Sequence, residues 1–330
     1  MTAADRTGTT YLEALRIAMG EALEQDDRVF LYGEDIEDPF GGAFKATKGL
    51  STRYPGRVRN TPISEDAIVG AAIGAALEGL RPIVEFQFAD FALCGFNQLA
   101  NHAATTWWRT GRPCPLVARL PSGGTPGGGP FHCQMPEGWA TAFPGLVVIA
   151  PATVRDAYAM LHAAVACEDP VLLLEHKLLY YHLRDPAFTP GGPIPPLHRA
   201  AVLRDGRDCT IVAYGAMVQG ALAAAQGLAS SGVDAEVVDL RCLKPLDLPT
   251  VLGSVARTGR LVVATEAWPY GNVAAEVVAG VCAEGFHLLD APPRRVTSPD
   301  TPIPFHPALW LAHRPDAKRI QHAVRETLGF

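Results

Sequence analysis

Short apolar runs alternate with helical segments along most of this chain. We predict buried strands at 28–32, 82–86, 115–120, 147–150 and 170–175, and helices at 10–23, 65–79, 90–108 and 154–165. Strands that alternate with helices favour a parallel sheet covered on both faces. The sequence therefore predicts the α/β class.

The alternation restarts after a segment rich in proline and glycine. Residues 183–199 read LRDPAFTPGGPIPPLHR and show no apolar period. Beyond them, we predict strands at 209–214, 235–239 and 261–266, with helices at 216–230, 250–257 and 274–283. We therefore predict two parallel-sheet α/β domains, at 1–186 and 201–330, joined by a linker at 187–200.

Composition excludes several classes of function. The 330 residues are 48% hydrophobic with a net charge of -6, so nucleic acid and anionic membranes are poor candidates for partners. The seven cysteines are scattered without a Cys-x-x-Cys pair, which supports neither a disulfide framework nor a zinc ribbon. No signal peptide or membrane span is evident. We expect a soluble, cytoplasmic protein.

An acidic residue, Glu65, lies at the first turn of a helix made almost wholly of apolar residues and glycine. One interpretation is a capping group that the helix dipole favours. The other is a functional carboxylate whose proton affinity is set by its surroundings. The local stretch leaves both open.

A glycine-rich loop, SGGTPGGGP at 122–130, precedes His132. It is neither a Walker loop nor a GxGxxG turn. A histidine beside such a loop is well placed to face a cleft at the carboxyl end of a parallel sheet, and the alternative is a loop histidine bonded to backbone. Cys133 is a weaker candidate for a nucleophile, since the sequence shows no group that would orient His132 as its base.

Seven segments carry a specific resemblance to a known family. They are YGED (32–35), TPISEDAIVGAAIGAALEGLRPIVEFQFADF (61–91), HCQMPEGW (132–139), DPVLLLEHKLLY (169–180), YGAM (214–217), VDLRCLKPLD (238–247) and RRVTSPDTPIPF (294–305). In this order and spacing they resemble the β subunit of the 2-oxoacid dehydrogenase decarboxylating component. That family includes the pyruvate, branched-chain and acetoin enzymes, and it belongs to the transketolase-like thiamine diphosphate group.

The resemblance implies half of an active site. Family β subunits bind the aminopyrimidine end of thiamine diphosphate, while the α subunit of an α2β2 heterotetramer supplies the diphosphate and Mg²⁺ site, marked by Gly-Asp-Gly. This chain has no Gly-Asp-Gly. By resemblance, Glu65 bonds the pyrimidine ring nitrogen, Phe91 packs on that ring, and His132 lines the channel for substrate and lipoyl arm. The implied reaction is oxidative decarboxylation of a 2-oxoacid with acyl transfer to that arm.

The resemblance also implies residues for partner contacts and for a structural cation. By resemblance, Asp290 and Phe330 contact the acyltransferase component, and residues 167–170 are where some members bind a structural K⁺. Two positions depart from the family, because Cys133 replaces a serine and Ala142 replaces a second histidine. These departures leave the oxoacid open. They also leave two alternatives: a paralogue that passes an acyl or two-carbon unit to a carrier protein, or a non-catalytic scaffold.

Overall fold

Parallel strands dominate the two larger sheets of the structure, a computed structural model that describes residues 7–329. The strands are β1 (Thr9–Thr10), β2 (Val29–Gly33), β3 (Val58–Asn60), β4 (Arg81–Glu85), β5 (Val117–Ser122), β6 (Val147–Ile149), β7 (Val171–His176), β8 (Arg184–Asp185), β9 (Ala201–Arg204), β10 (Cys209–Ala213), β11 (Ala235–Asp239), β12 (Cys242–Lys244), β13 (Leu261–Ala264) and β14 (Arg294–Val296).

Helices follow most strands, as the predicted alternation requires. They are α1 (Tyr11–Gln25), α2 (Leu50–Arg53), α3 (Glu65–Leu77), α4 (Thr106–Thr110), α5 (Glu137–Ala142), α6 (Val154–Ala166), α7 (Lys177–His182), α8 (Met217–Ala229), α9 (Leu248–Thr258), α10 (Val273–Gly285), α11 (Pro307–His313) and α12 (Ala317–Leu328). No helix in the described range is long and apolar enough to cross a membrane.

The chain divides into two units. The first comprises the described residues up to Ser122 together with Ala140–Leu197, and the second comprises Gly123–Trp139 and the described residues from His198 onward. The predicted first domain, 1–186, includes residues 123–139, whereas the structure groups this segment with the second unit. The segment carries His132, so this grouping decides which unit holds the predicted site histidine.

The first unit is built on a parallel sheet. Its strands lie in the order β6-β7-β5-β4-β2-β3, and each neighbouring pair is parallel. Strands β5 and β7 are buried along their whole length, as expected where helices cover both faces of a sheet. A separate antiparallel pair joins β1 to β8. The predicted α/β class is therefore confirmed for this unit.

The second unit has a sheet in the order β14-β13-β10-β11-β9. Four of its strands are parallel, and β9 pairs with β11 in the antiparallel direction. Strands β9 and β14, together with the two C-terminal helices, lie in stretches for which the sequence predicted no element. Strands β9 and β14 are the two edge strands of this sheet, and α12 packs against β10, β13 and β14.

The predicted single helix over 90–108 is wrong. The structure has a 3-10 turn at Ala89–Leu93, a π-helical turn at Gln98–Ala103 and the short helix α4. One physical reason is local competition for backbone carbonyls, because the hydroxyls of Thr105 and Thr106 donate to the carbonyls of Asn101 and His102 at 2.5 and 2.7 Å. The apolar pattern is correct, but the backbone is bent.

Candidate active site

Glu65 lies where the carboxyl ends of parallel strands meet in the first unit. Strand β2 pairs with β3 on one side and with β4 on the other, so the residues that follow all three strands emerge at one edge of the sheet. Glu65 is the first residue of α3, after the loop that leaves β3, and its side chain is half-buried. The cap position is Ser64, which makes no side-chain capping bond. Glu65 is therefore a first-turn acid and is not the capping residue.

Phe91 reaches the same edge from strand β4. It lies in the 3-10 turn Ala89–Leu93, and the chain then passes close to the start of α3. Gly95 permits this approach, since a Cβ there would lie 3.0 Å from the carbonyl oxygen of Glu65. The structure thus brings together two predicted site residues, Glu65 and Phe91, that are far apart in sequence.

Aromatic rings support Phe91. Phe88 meets Phe91 edge to face with ring centroids 5.7 Å apart, and Phe44 meets Phe88 in the same way at 5.4 Å. The ammonium of the buried Lys177 lies 5.6 Å from the centre of the Phe88 ring. These contacts fix the orientation of an aromatic side chain that is itself half-buried, which is what a packing surface for a flat heterocycle needs.

Glu34 is a candidate site residue to which the sequence analysis gave no role. It follows strand β2 directly, is 5% exposed, and its Oε1 has no hydrogen-bond partner among the described residues. Burial, followed by the negative charges of Glu65 and Asp35, raises the pKa of Glu34 to about 7. The available signal was its position, because an acid placed directly after a buried parallel strand faces the ligand-binding edge.

Two neighbouring carboxyl groups give this edge a defined chemistry. Glu65 is close enough for its negative charge to contribute to the raised pKa of Glu34, so a second acid lies beside a carboxyl group that keeps its proton up to about pH 7. Together with Phe91, whose segment passes the start of α3, these residues fit a protonatable nitrogen heterocycle, whose nitrogen would bond a carboxyl while its face packs on an aromatic side chain.

A buried ionic cluster lies within the same sheet. The guanidinium of Arg119 donates to both carboxylate oxygens of Glu175 at 2.7 Å each, and it also donates to Glu85. The hydroxyl of Tyr180 donates to Glu175 at 2.7 Å. Burial raises the pKa of Glu85 against the opposing charge of Arg119. The cluster ties strands β4, β5 and β7 together beneath the site.

His132 belongs to the second unit. It ends a 3-10 turn at Gly129–Phe131 and is half-buried. The loop that carries it closes on itself, since the Gly123 amide donates to the Gln134 carbonyl at 3.0 Å and the Gln134 side chain donates to the Pro130 carbonyl at 2.8 Å. The structure therefore places His132 on a folded loop of the second unit, whereas Glu65 and Phe91 belong to the first.

Cys133 has a packing role inside this loop. Its side chain is 1% exposed, and its sulfur accepts from the Thr125 amide at 3.4 Å and donates to the Thr125 carbonyl at 3.5 Å. A thiol held in this way is not presented as a nucleophile. Ala142, the second departure from the family pattern, is the last residue of α5 and is exposed.

Comparison with known proteins now identifies the family. The model described as "Transketolase, pyrimidine binding domain" matches residues 7–182, and "Transketolase, C-terminal domain" matches residues 198–320. The chain is 39% identical to the 2-oxoisovalerate dehydrogenase subunit beta of Bacillus subtilis (97% of this chain, 99% of the relative). It is 42% identical to the pyruvate dehydrogenase E1 component subunit beta of Leifsonia xyli (97% and 94%). This chain belongs to the family of 2-oxoacid dehydrogenase E1 β subunits.

A further relative and a solved structure match over nearly the whole chain. The chain is 41% identical to the acetoin:2,6-dichlorophenolindophenol oxidoreductase subunit beta of Cupriavidus necator, over 96% of this chain and 97% of the relative. The solved structure of a split-gene transketolase, in an inactive beta4 tetramer, superposes with a TM-score of 0.80 at 25% identity, covering 98% of this chain and 99% of that one. The predicted family and two-domain transketolase-like fold are confirmed.

The two predicted contacts with the acyltransferase component stay predictions for this family member. Asp290 lies before β14 in the second unit, where its carboxylate is 3.6 Å from the Arg260 guanidinium and its amide donates to the Gly259 carbonyl at 2.7 Å. Its side chain is 64% exposed, which leaves it accessible to a partner. Phe330 lies outside the described residues.

The backbone oxygens near the predicted K⁺ position have a partner in the chain. The Arg81 guanidinium donates to the carbonyls of Val165 and Cys167 at 2.8 and 3.2 Å, and it also pairs with Glu168. Of these two carbonyls, only that of Cys167 belongs to the segment 167–170, and binding of a structural K⁺ there stays a prediction. Among the described residues, no group of three or more His, Cys, Asp or Glu side chains could hold a metal ion.

Proposed function

We propose that this chain is the β subunit of a thiamine diphosphate-dependent 2-oxoacid dehydrogenase decarboxylating component. The observation that carries the proposal is the convergence of Glu65, Phe91 and Glu34 at one edge of the first unit's sheet. The family assignment supports the reaction class, and these residues are the groups that this chain would contribute to the cofactor site.

In this proposal the residues of the first unit hold the aminopyrimidine end of the cofactor. Glu65 bonds the ring nitrogen and shares a proton with it, while Phe91 packs on the face of the ring. Glu34, whose pKa is raised to about 7, keeps a second exchangeable proton next to Glu65. When bound, the cofactor supplies the electron sink that decarboxylation of a 2-oxoacid requires.

An α subunit completes the site. The diphosphate and Mg²⁺ would be held there, since this chain lacks Gly-Asp-Gly. Support comes from apolar side chains that the first unit leaves uncovered, with Ile63 80% and Trp108 84% exposed. A cavity of about 570 Å³ lies beside Trp107 and Trp108. Large exposed apolar groups are typical of surfaces that a partner covers, and we propose an α2β2 assembly.

The second unit contributes the later step of the proposed reaction. His132 donates or accepts a proton as the acyl group passes to a lipoyl arm of the acyltransferase component. Ala142, which lacks the titratable group of the family pattern, favours one further candidate, in which the acceptor is a different carrier protein. Rates with a lipoyl domain and with a phosphopantetheine carrier, each measured on the same enzyme, separate the two acceptors.

The decisive experiment is Glu65→Gln in the assembled enzyme. Glutamine keeps the size of the side chain but cannot share a proton with a ring nitrogen, so we expect oxoacid turnover to fall at least about 100-fold. Co-purification with the α subunit should be unchanged. Asp66→Asn is the matched control, because Asp66 is the exposed acid next to Glu65. Near-normal turnover of Glu65→Gln would contradict the proposal and would favour the non-catalytic scaffold.

A further inference from the structure

Both ends of the segment 123–139 are attached to the same end of the second unit's sheet. At the beginning of the segment, the Gly124 amide donates to Oε1 of Glu266 at 2.6 Å, and Glu266 follows strand β13. At the other end, the hydroxyl of Tyr214, which follows β10, donates to Glu137 at 2.8 Å. His132 lies between these two attachments.

The side chain of Glu266 is buried and held by hydrogen bonds. Its side chain is 7% exposed, and its second oxygen accepts from Nε of Arg314 at 3.2 Å. The Arg314 guanidinium in turn lies 5.7 Å from the centre of the Trp310 ring. A carboxylate between a guanidinium and a backbone amide makes two charge-assisted hydrogen bonds, which are roughly twice as strong as neutral ones.

The approach of the loop to Glu266 requires a glycine. A Cβ at position 124 would lie 2.3 Å from Nε1 of Trp310 and 2.7 Å from Oε1 of Glu266. Trp310 is 3% exposed and has little freedom to move. The loop therefore meets a surface shaped for it, at the point where the glutamate receives its amide.

The attachment at Glu137 is equally specific. Glu137 is fully buried, and the Tyr214 hydroxyl that contacts it also meets the Thr265 hydroxyl at 2.6 Å. Thr265 directly precedes Glu266, so the two attachments share one turn after β13. Burial raises the pKa of Glu137 to about 7. A partly protonated Glu137 lessens the repulsion between two carboxyl groups at this end of the sheet.

Contacts inside the loop connect the attachment at Gly124 to His132. The Cys133 sulfur contacts both the amide and the carbonyl of Thr125, which follows Gly124. Cys133 directly follows His132, so two contacts connect the histidine to the glutamate. A displacement of Gly124 would therefore move His132.

We propose that Glu266 is a positioning residue for His132. Through the Gly124 amide it fixes the glycine-rich loop on the second unit, and Arg314 and Trp310 hold the glutamate in turn. This inference rests on the role given to His132 in the proposed function. A misplacement of about 1 Å at a reacting group can cost about 100-fold in rate, so the C-terminal domain has a part in the chemistry of acyl transfer.

The test uses the enzyme assembled with its α subunit and three variants. Glu266→Ala removes the acceptor, Glu266→Gln keeps a neutral one, and Gly124→Ala displaces the loop from the other side of the same contact. Glu284→Gln is the control, since Glu284 is an exposed glutamate of the same unit. Hydrogen exchange over 123–136, acyl transfer to a lipoyl domain, and decarboxylation with an electron-accepting dye are measured for each.

We expect hydrogen exchange over 123–136 to rise about tenfold in Glu266→Ala and Gly124→Ala, and less in Glu266→Gln. Acyl transfer should fall about 10- to 100-fold in the same order, whereas decarboxylation with the dye should change by less than about threefold. The Glu266→Ala and His132→Ala effects on acyl transfer should be non-additive.

Two results would overturn the inference. One is loop exchange that equals the Glu284→Gln control in both Glu266→Ala and Gly124→Ala. The other is faster exchange together with wild-type acyl transfer in an enzyme whose His132→Ala variant is impaired. Failure of the proposed function is distinguishable, because it would appear as full acyl transfer by His132→Ala itself, whatever the loop exchange shows.

Discussion

At the scale of single residues, burial decides what the acidic side chains of the first unit can do. Glu34 and Glu85 are both nearly inaccessible, but only Glu85 has a guanidinium partner in the structure. Glu34 lies instead beside another acid, Glu65. The same residue type is thus ion-paired in one place and has a raised pKa beside another acid in the other, and the difference follows from neighbours that the local sequence does not reveal.

The raised pKa of Glu34 predicts how stability changes with pH. Since the folded-state pKa of about 7 exceeds the unfolded value near 4.5, the native state binds the extra proton between these values. The contribution of this carboxyl to the free energy of unfolding therefore falls as the pH rises from about 5 to 8. Glu34→Gln should be more stable than wild type at pH 8, by about 1 kcal/mol after solvent screening, and nearly equal at pH 5.

Urea unfolding of the two proteins at pH 5 and pH 8 measures this difference. Glu78→Gln, at an exposed glutamate of the same unit, controls for the loss of one negative charge. A stability difference between Glu34→Gln and wild type that is the same at both pH values would contradict the assignment.

The buried cluster around Arg119 predicts a large effect of a single substitution. Arg119→Met fills the space but leaves Glu85 and Glu175 buried without their cation, so we expect a loss of about 3–5 kcal/mol in the free energy of unfolding. Arg28→Met removes an exposed pair with Asp26 and should cost far less, because solvent screens such a pair. Chemical denaturation measures the free energy of unfolding of both variants. Equal losses would show that the buried cluster stabilises the fold no more than an exposed ion pair does.

At the scale of elements, helix ends were predictable where their signals are local. The sequence predicts a helix from Thr10, and the structure shows that Thr10 caps α1 in a capping box with Glu13. The Glu13 amide donates to the Thr10 hydroxyl at 3.1 Å, while the Thr10 amide donates to the Glu13 carboxylate at 2.7 Å. Both bonds involve residues three positions apart, which is why the pattern can be read from sequence.

The capping box should contribute measurably to stability. Thr10→Ala removes the acceptor for the Glu13 amide, and we expect a loss of about 1 kcal/mol, equal to a fall of about 2 °C in the melting temperature of a chain of this size. Thr10→Ser keeps the hydroxyl and should stay within about 0.5 kcal/mol of wild type. Thermal unfolding followed by circular dichroism distinguishes them, and matching curves for alanine and serine would argue against the cap.

Elements shaped by tertiary contacts were not predictable. The segment 90–108 has the apolar period of a helix, yet it bends where Gly95 passes the Glu65 carbonyl and where threonine hydroxyls bond to the backbone. Strand β14 is only three residues long and pairs with β13 from far along the chain. The approach of Gly95 to Glu65 and the pairing of β14 with β13 each join residues about 30 positions apart, so a window of local sequence carries too little information about them.

At the scale of the whole molecule, the sequence predicted two domains and named candidate site residues, but it did not predict which unit holds each of them. Glu65 and Phe91 were proposed through the family pattern, and the structure brings their segments together. The pattern gave no role to Glu34 or Glu266. Glu34 stands next to a strand whose partners were unknown. Glu266 contacts a loop 142 positions earlier in the chain, and such a pairing is set by topology.

The proposed division of the cofactor site between two chains yields the last prediction. In this proposal the chain offers a carboxylate and an aromatic ring for the pyrimidine, and it has no Gly-Asp-Gly for the diphosphate and Mg²⁺. The chain alone should therefore bind thiamine diphosphate at least about 100-fold more weakly than the assembled enzyme, equivalent to about 2.7 kcal/mol of binding free energy. Titration calorimetry with Mg²⁺ present measures the affinity of the isolated chain and of the assembled enzyme.

A Glu65→Gln assembly should lose part of its affinity for thiamine diphosphate while keeping its subunits, which separates cofactor binding from assembly. Tight binding by the isolated chain would show that one subunit holds the complete site, and the need for an α partner would then have to be sought in substrate binding.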